Sequence, residues 1–540
     1  MEPQIRSLID ISQTPAAYQA QADLLLERAH WAATLFGRLD LDSTRRIAGA
    51  VADAAHAGAR HFAELAVNET GFGIVADKTR KNELTAHPII EYYRDQDFVN
   101  PRLDHARRLV EIPRPAGVIF ALTPSTNPIA TLNYKILLAM MTRNAIIISP
   151  HPAARTCSIE AAHALSAAAV RAGAPDGAIQ IIEHPSIPLV EAVMRAPRTR
   201  LILATGGNPM VRAAYGSSNP AIGVGAGNAP AFVDSSADIE QAAKQIVESK
   251  HFDNSTLCTN ESVIITVPEV AERLQRALKT AGAHFCDAEE VQALRRFLFH
   301  DRGFNVEALG RDATWIAAEA GIRVSPRTRI LVAPIRQIGV EEPLSREKLC
   351  PVAGFLVAGN RAQAMRQARG MLRLAGAGHS AAIHARDAEA ILRYGAEVEA
   401  YRIVVNAPCS QGAAGFATQL APTFTVGTGY FGRSSIGENV GPQHLVHWTR
   451  VALGNDDRQS LEAFEGIHLD LPGALRPAPA DGVPSAARQD ERFRPGGQQR
   501  RQDTTGPAPH PSAVGAGLDH ESREELRRII AEELRALLKR

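Results

Sequence analysis

Cysteine is scarce in this chain of 540 residues, and what there is does not pair. Cys157, Cys258, Cys286, Cys350 and Cys409 are odd in number and scattered, with no spacing suited to zinc or to a disulfide framework. A reducing, intracellular setting without a metal is expected. Charge of one sign is also lacking: 59 Lys and Arg stand against 58 Asp and Glu, so no overall field favours nucleic acid or an anionic membrane. Small molecules or proteins are the expected partners. No apolar run reaches the roughly 18 residues of a membrane span. The start, Met1-Glu2-Pro3-Gln4-Ile5-Arg6, lacks the basic stretch and apolar run of an export signal, so a soluble protein that is not exported is expected. There is no internal repeat.

What is present is ordinary globular composition, 45% hydrophobic and 22% charged, in a chain long enough for two or three domains. Ala-rich helices are expected over 15–70, for example Leu24 to Phe36 and Ser43 to Asn68. From Gly117 the pattern becomes strand, helix, strand: strands at 117–122, 145–149, 178–182 and 201–204, with helices at 129–142, 153–172 and after Pro209. A second block runs from Ser262 to about Pro442, with strands near 263–267, 330–333, 381–384 and 402–406. Such alternation implies βαβ units, parallel sheets and ligands at the carboxyl ends of strands. Two α/β lobes are expected, meeting near 245–255.

Glycine is dense at Gly223-Val224-Gly225-Ala226-Gly227-Asn228 and at Thr205-Gly206-Gly207. A Gly-Gly pair opening a helix suits a cofactor phosphate, although these spacings do not match the dinucleotide fingerprint and tight turns would look the same. Phe252-Asp253-Asn254-Ser255-Thr256-Leu257-Cys258 follows a helix ending near Lys250. A cysteine on an irregular polar segment can be accessible and partly ionised, as a nucleophile requires, or it can be a small buried hydrophobe.

Over roughly residues 15–455 the chain resembles the CoA-acylating aldehyde dehydrogenases, including the aldehyde half of the bifunctional aldehyde-alcohol dehydrogenases and the ethanolamine- and propanediol-pathway enzymes. The stretches that carry the resemblance are Thr123-Pro-Ser-Thr-Asn-Pro128, Arg143 to Pro152, Ala204-Thr-Gly-Gly207, Ala221 to Asn228, Phe252 to Cys258, Glu347-Lys-Leu, Gly378-His-Ser and Gly437 to Pro442. It implies an aldehyde dehydrogenase fold with a doubly wound nucleotide-binding lobe at 1–250, its oligomerisation strand near 105–116. A catalytic lobe at 251–440 and a return to the oligomerisation flap at 441–471 complete it. The chain stops without an alcohol dehydrogenase half, so a monofunctional enzyme, dimeric or tetrameric, is expected.

The resemblance further implies that Cys258 attacks an aldehyde and that its own backbone N–H and the Asn127 amide stabilise the oxyanion, with Thr126 competing for the register of Asn127. Thr123, Pro124, Ser125, Ser149, His151, Thr205, Gly206, Gly207, Gly225, Gly227 and Glu347 are the implied cofactor-binding residues. Glu347 would hold the nicotinamide ribose or be a surface glutamate. His379 would assist proton transfer or merely satisfy a core hydrogen bond. Hydrolytic relatives carry a water-activating glutamate in Glu-Leu-Gly-Gly-Lys, whereas Gly223 to Asn228 has no carboxylate. CoA is therefore the expected acyl acceptor and NAD the expected oxidant. The lysine that holds the adenosine ribose in hydrolytic relatives is missing from Ser149-Pro-His151-Pro, which leaves NADP open. Propanal and acetaldehyde are the leading substrates, with a sulfoacetaldehyde dehydrogenase (acylating) or a hydrolytic aldehyde dehydrogenase as alternatives.

The carboxyl terminus is built differently. Pro472 to Gly517 holds eight Pro and seven Gly among 46 residues, too few large apolar groups to offset ordering entropy, and reads as a disordered linker. Ser522 to Arg540 reads as an amphipathic helix, with Leu526, Ile529, Ile530, Leu534, Leu537 and Leu538 on one stripe and Ser522 with Glu525 as a capping box. Residues 518–540 resemble the encapsulation peptides of bacterial microcompartments. That implies a place in the bacterial cytoplasm, in a microcompartment lumen, with shell proteins or other cargo as partners.

Overall fold

Val118–Leu122 and Ala145–Ser149 are short apolar strands with every residue buried, as strands covered on both faces must be. They are the middle of a five-stranded sheet whose order is Ile179–Ile181, Ala145–Ser149, Val118–Leu122, Leu201–Thr205, Ala221–Val224, all parallel. The chain starts this sheet at its centre and adds strands first to one side and then to the other. The order therefore reverses at Val118–Leu122, and the crevice beyond the carboxyl ends of this strand and Leu201–Thr205 is where such sheets take ligands.

The computed structural model describes residues 14–300, 303–455 and 460–465, all within a unit spanning Met1–Pro477. The linker and terminal helix expected at 472–517 and 518–540 lie outside the described residues. A second, seven-stranded sheet runs Ala283–Phe285, Ile330–Pro334, Val352–Val357, Glu261–Thr266, Ala229–Val233, Ala381–His384, Ile403–Val405 and is parallel throughout. Leu109–Pro115 pairs antiparallel with Arg102–Asp104 and with Val446–Ala452 in a third sheet. There the buried Glu111 carboxylate is clamped by Arg102 at 2.7 Å and Arg450 at 2.9 Å. The mixed α/β architecture with two parallel sheets is the expected one. Among the described residues no helix is long and apolar enough to cross a membrane.

Two local expectations need correction. The single helix over Ser43 to Asn68 is two, Leu41–Ala57 and Ala59–Thr70, because the chain turns at Gly58. The changeover between the parallel sheets falls at 225–228 rather than at 245–255, since Ala229–Val233 already belongs to the second sheet. Pro230 hides that strand by interrupting its ladder, and the register slips there.

Candidate active site

The crevice at the order reversal holds a cavity of about 850 Å³. The loop after Val118–Leu122 contributes Thr123, Pro124, Ser125, Thr126 and Asn127, and the turn after Ala145–Ser149 contributes His151 beside Ser149 itself. Thr205, Gly206, Gly207 and Gly225 close one wall; Cys258 and Glu347 come from the second-sheet side. Two expected site residues, Gly227 and His379, are outside this lining, and both sit against Cys258 instead.

Two of the expected cofactor-binding residues on this lining leave polar groups unpartnered. The hydroxyls of Thr123 and Thr205 are buried without a partner, at the carboxyl ends of the two strands that flank the reversal. The helix Asn208–Tyr215 begins at Gly207 with no side-chain cap; Pro209 has no N–H and the Met210 N–H donates to Gly207 O at 3.0 Å, so of the first three helical residues Asn208 is the one whose N–H could meet an anionic phosphate. His151 uses Nδ1 to accept the Ala153 N–H at 3.1 Å, and burial holds its pKa below the ordinary value.

Cys258 lies in the turn between Phe252–Ser255 and the strand Glu261–Thr266. The approach to it is strained: Asp253, Asn254 and Ser255 have φ of 49°, 48° and 66°. Asp and Asn tolerate this region better than most, but three successive left-handed residues cost of order 1–3 kcal/mol each and need outside support. The Asp253 carboxylate accepts from Ile74 N–H at 2.7 Å, Thr256 Oγ1 at 2.6 Å, Lys78 at 3.1 Å and Lys81. Asn254 donates to Gly310 O at 2.9 Å, and Asn260 holds Ser255 O at 3.0 Å.

His379 Nε2 is 3.2 Å from Cys258 Sγ, and its Nδ1 is 3.0 Å from Ser380 Oγ. With Nδ1 protonated toward Ser380, Nε2 is an acceptor aimed at the thiol. The ring is fully buried, and burial, then the Arg402 charge, depress its pKa to about 3, so it is neutral at rest. Arg402 lies beneath it, donating to the carbonyls of His379 at 2.7 Å, Gly378 and Gly427 at 2.5 Å, and Gly437 at 2.9 Å.

The expectation of a partly ionised Cys258 is not met. Burial, and then the Glu347 carboxylate, push its pKa up to about 12, so the resting nucleophile is a thiol. Glu347 is half-buried, not a surface residue. Burial raises its pKa to about 7, and its Oε1 accepts the Gly227 N–H at 3.0 Å. Gly227 itself passes so close to the nucleophile that a Cβ would meet the Cys258 carbonyl oxygen at 2.0 Å. Gly227→Ala should therefore displace Cys258; a shift of order 1 Å costs about 100-fold in kcat, to be read beside a melting curve.

Asn127 is buried and precedes the helix Pro128–Met141, yet its side chain makes no cap bond to it. Instead Nδ2 donates to Thr256 O at 3.0 Å and Oδ1 accepts from Lys81. The Asn–Pro turn does not account for it. Lys81, Asp253 as a charge partner and Arg402 were not singled out from sequence, because isolated ionic residues carry no spacing signal. Elsewhere, His284, Cys286 and Glu290 place ligand atoms within 4.8 Å of one another, but Glu290 already completes the capping box of Ala288–Leu298 and bonds His284 at 3.0 Å.

A family model described as the aldehyde dehydrogenase family matches residues 7–285. Aldehyde-alcohol dehydrogenase 2 of Entamoeba histolytica is 38% identical over 414 residues, 75% of this chain and 47% of that protein. The chain thus spans about half the length of such bifunctional relatives. Succinate-semialdehyde dehydrogenase (acetylating) of Clostridium kluyveri is 34% identical over 411 residues, 76% of this chain and 90% of that one. An acetylating aldehyde dehydrogenase from Geobacillus thermoglucosidasius superposes with a TM-score of 0.81 at 36% identity, over 84% of this chain and all of the other. A Rhodopseudomonas palustris propionaldehyde dehydrogenase, solved with bound CoA and an acylated cysteine, gives a TM-score of 0.73 at 26% identity over 80% and 97% of the two chains. A propionaldehyde dehydrogenase of the Clostridium phytofermentans fucose utilisation microcompartment gives 0.72 at 27%, over 80% and 97%.

Proposed function

The chain belongs to the aldehyde dehydrogenase family, and from that premise we propose that it oxidises a short-chain aldehyde to an acyl-CoA through a thioester on Cys258. The observation that carries this reading is the Cys258 thiol, 3.2 Å from a neutral, acceptor-ready His379 nitrogen at the edge of the cavity. Attack on the aldehyde carbon transfers the thiol proton to Nε2 as the C–S bond forms, so no standing thiolate is required. The Cys258 backbone N–H and the Asn127 amide meet the oxyanion of the thiohemiacetal. The Thr123–Ser125 and Thr205–Gly207 loops and Glu347 would hold a nicotinamide cofactor, which would supply the hydride acceptor. The CoA thiol then attacks the thioester carbonyl and gives up its proton to solvent, and the bond from the acyl carbon to Cys258 breaks as Cys258 recovers its proton from His379.

Mass-spectrometric detection of acyl-CoA, with kcat/KM compared across propanal, acetaldehyde, succinate semialdehyde and sulfoacetaldehyde, and NAD against NADP, tests the activity and ranks the substrates. One methylene is worth only roughly 1–3 kcal/mol, so near neighbours will be separated modestly. Free acid as the product would favour the hydrolytic alternative. The antiparallel sheet of Leu109–Pro115 with Val446–Ala452 is the proposed subunit contact, and its strand Val446–Ala452 is largely exposed in the single chain. Light scattering should give a dimer or tetramer.

For residues 518–540 the proposal is docking to a microcompartment shell or its cargo. It rests on the apolar stripe and on the resemblance to encapsulation peptides, and the Clostridium phytofermentans relative comes from such a compartment. The six large apolar side chains can contribute several kcal/mol, at roughly 1.5–3 kcal/mol each before ordering costs. Deleting 518–540 should leave kcat nearly unchanged and remove the enzyme from purified shells. A fluorescent protein carrying Leu518 to Arg540 should enter shells, and Leu534→Glu with Leu537→Glu should keep it out. A diffuse fusion in cells with intact shells refutes the docking role.

A further inference from the structure

Lys81 is a fully buried lysine that the chemistry above does not use. Its Nζ reaches Asp253 Oδ2, Asn127 Oδ1 and, at 3.2 Å, Thr256 Oγ1. An ammonium group has three donors and no acceptor, and here three acceptors surround it. Only the carbonyl end of the Asn127 amide can face such a group. The NH₂ end is thereby turned to the other side, where it donates to Thr256 O at 3.0 Å, two residues before the nucleophile, and to Thr126 Oγ1 at 3.3 Å, the longer contact that an oxyanion would displace. The two ends of an amide are nearly equal in size, so shape alone does not fix which way it points. A flipped amide would offer oxygen, not N–H, to a developing oxyanion.

Asp253 keeps this ammonium in place. Its carboxylate is fully buried and is shared by Lys78 at 3.1 Å, Lys81 and the Thr256 hydroxyl, while Lys78 also donates to Thr126 O at 2.9 Å. The same carboxylate holds the left-handed run that leads to Cys258. One buried ionic cluster thus ties the loop of Asn127 to the loop of the nucleophile.

We propose that Lys81, anchored by Asp253, is a positioning residue that fixes the Asn127 amide with its N–H groups toward the oxyanion; this rests on the reading of Asn127 as an oxyanion donor. The test is a double-mutant comparison of Lys81→Met, Asn127→Ala and both together, each with kcat, KM for aldehyde and CoA, and a melting curve. Asn127→Ala alone should lower kcat by about 100- to 1,000-fold. Lys81→Met should lower kcat by at least about 30-fold with KM changed by less than about 3-fold, and should cost less than about 3-fold when Asn127 is already Ala.

An equal cost of Lys81→Met in both backgrounds, or near-normal kcat in the single variant, overturns the proposal. Wild-type turnover by Asn127→Ala removes the oxyanion reading and the proposal with it, a result distinct from equal costs. Lys81→Met leaves Asp253 paired with Lys78; should it still fail to fold, Lys81→Met with Asp253→Asn and Lys78→Met takes its place. Asn tolerates the left-handed backbone, and with Lys78 also neutral no buried charge is left unpaired. Failure of that triple variant to fold as well overturns the proposal in favour of a purely structural ion cluster.

Discussion

Cys258→Ala should abolish both NADH formation and acyl-CoA formation, by about 10⁴-fold or more, while the protein keeps its fold. The cavity loses only the sulfur, and among the described residues no other cysteine lines it. Cys157, Cys350 and Cys409 are buried thiols with raised pKa values, and Cys286 is buried beside acidic neighbours. Cys157→Ala and Cys409→Ala should accordingly be mild in kcat. The elevated pKa of Cys258 gives a second readout on the free enzyme. Iodoacetamide inactivation should stay slow at pH 7 and climb as pH rises toward about 12. Burial is the main cause of that pKa and the Glu347 charge adds to it, so Glu347→Gln should move the profile modestly to lower pH. Retention of more than a trace of turnover by Cys258→Ala excludes the thioester route.

The parts of the site that were legible in the sequence are those that strand ends and glycines impose. Thr123 to Asn127 and Thr205 to Gly207 line one cavity because the sheet order reverses where their strands end, and Cys258 enters it from the turn before Glu261–Thr266 in the second sheet. Burial was not legible. The segment around Cys258 is polar in composition, which suggested an accessible, partly ionised thiol, yet Asp253, Ser255 and Thr256 are turned inward and desolvate it. Nor does local sequence reveal that Lys81, on the helix Val75–Leu84, meets Asn127 and Asp253 from far away in the chain. Gly227 belonged to a motif suggestive of phosphate binding. Its Cβ-free approach to the Cys258 carbonyl shows that the same glycine spacing can serve nucleophile packing.

With NAD and aldehyde but no CoA, the enzyme should release close to one NADH per site and then stall. The acyl group on Cys258 can leave only to a nucleophile, and water needs a base to compete. The stretch Gly223-Val-Gly-Ala-Gly-Asn228, which by resemblance corresponds to the water-activating glutamate motif of hydrolytic aldehyde dehydrogenases, has no carboxylate, and the Gly227 backbone packs against Cys258. His379, the nearest base, has a pKa of about 3; it can take the proton of an attacking thiol, but water is a weaker acid and a weaker nucleophile than a thiol and gains too little from so weak a base. Glu347 lines the cavity with a pKa of about 7 but is tied to the Gly227 N–H. A slow phase after the burst, at least about 100-fold below the rate with CoA, is the expected trace of such poor bases. If Glu347 carries the residual hydrolysis, Glu347→Gln slows that phase further. Adding CoA to the stalled enzyme should release it at once, with acyl-CoA equal to the burst. Sustained acid production without CoA, at a rate comparable to that with it, would show that water is the natural acceptor and would replace the acylating reading with the hydrolytic one.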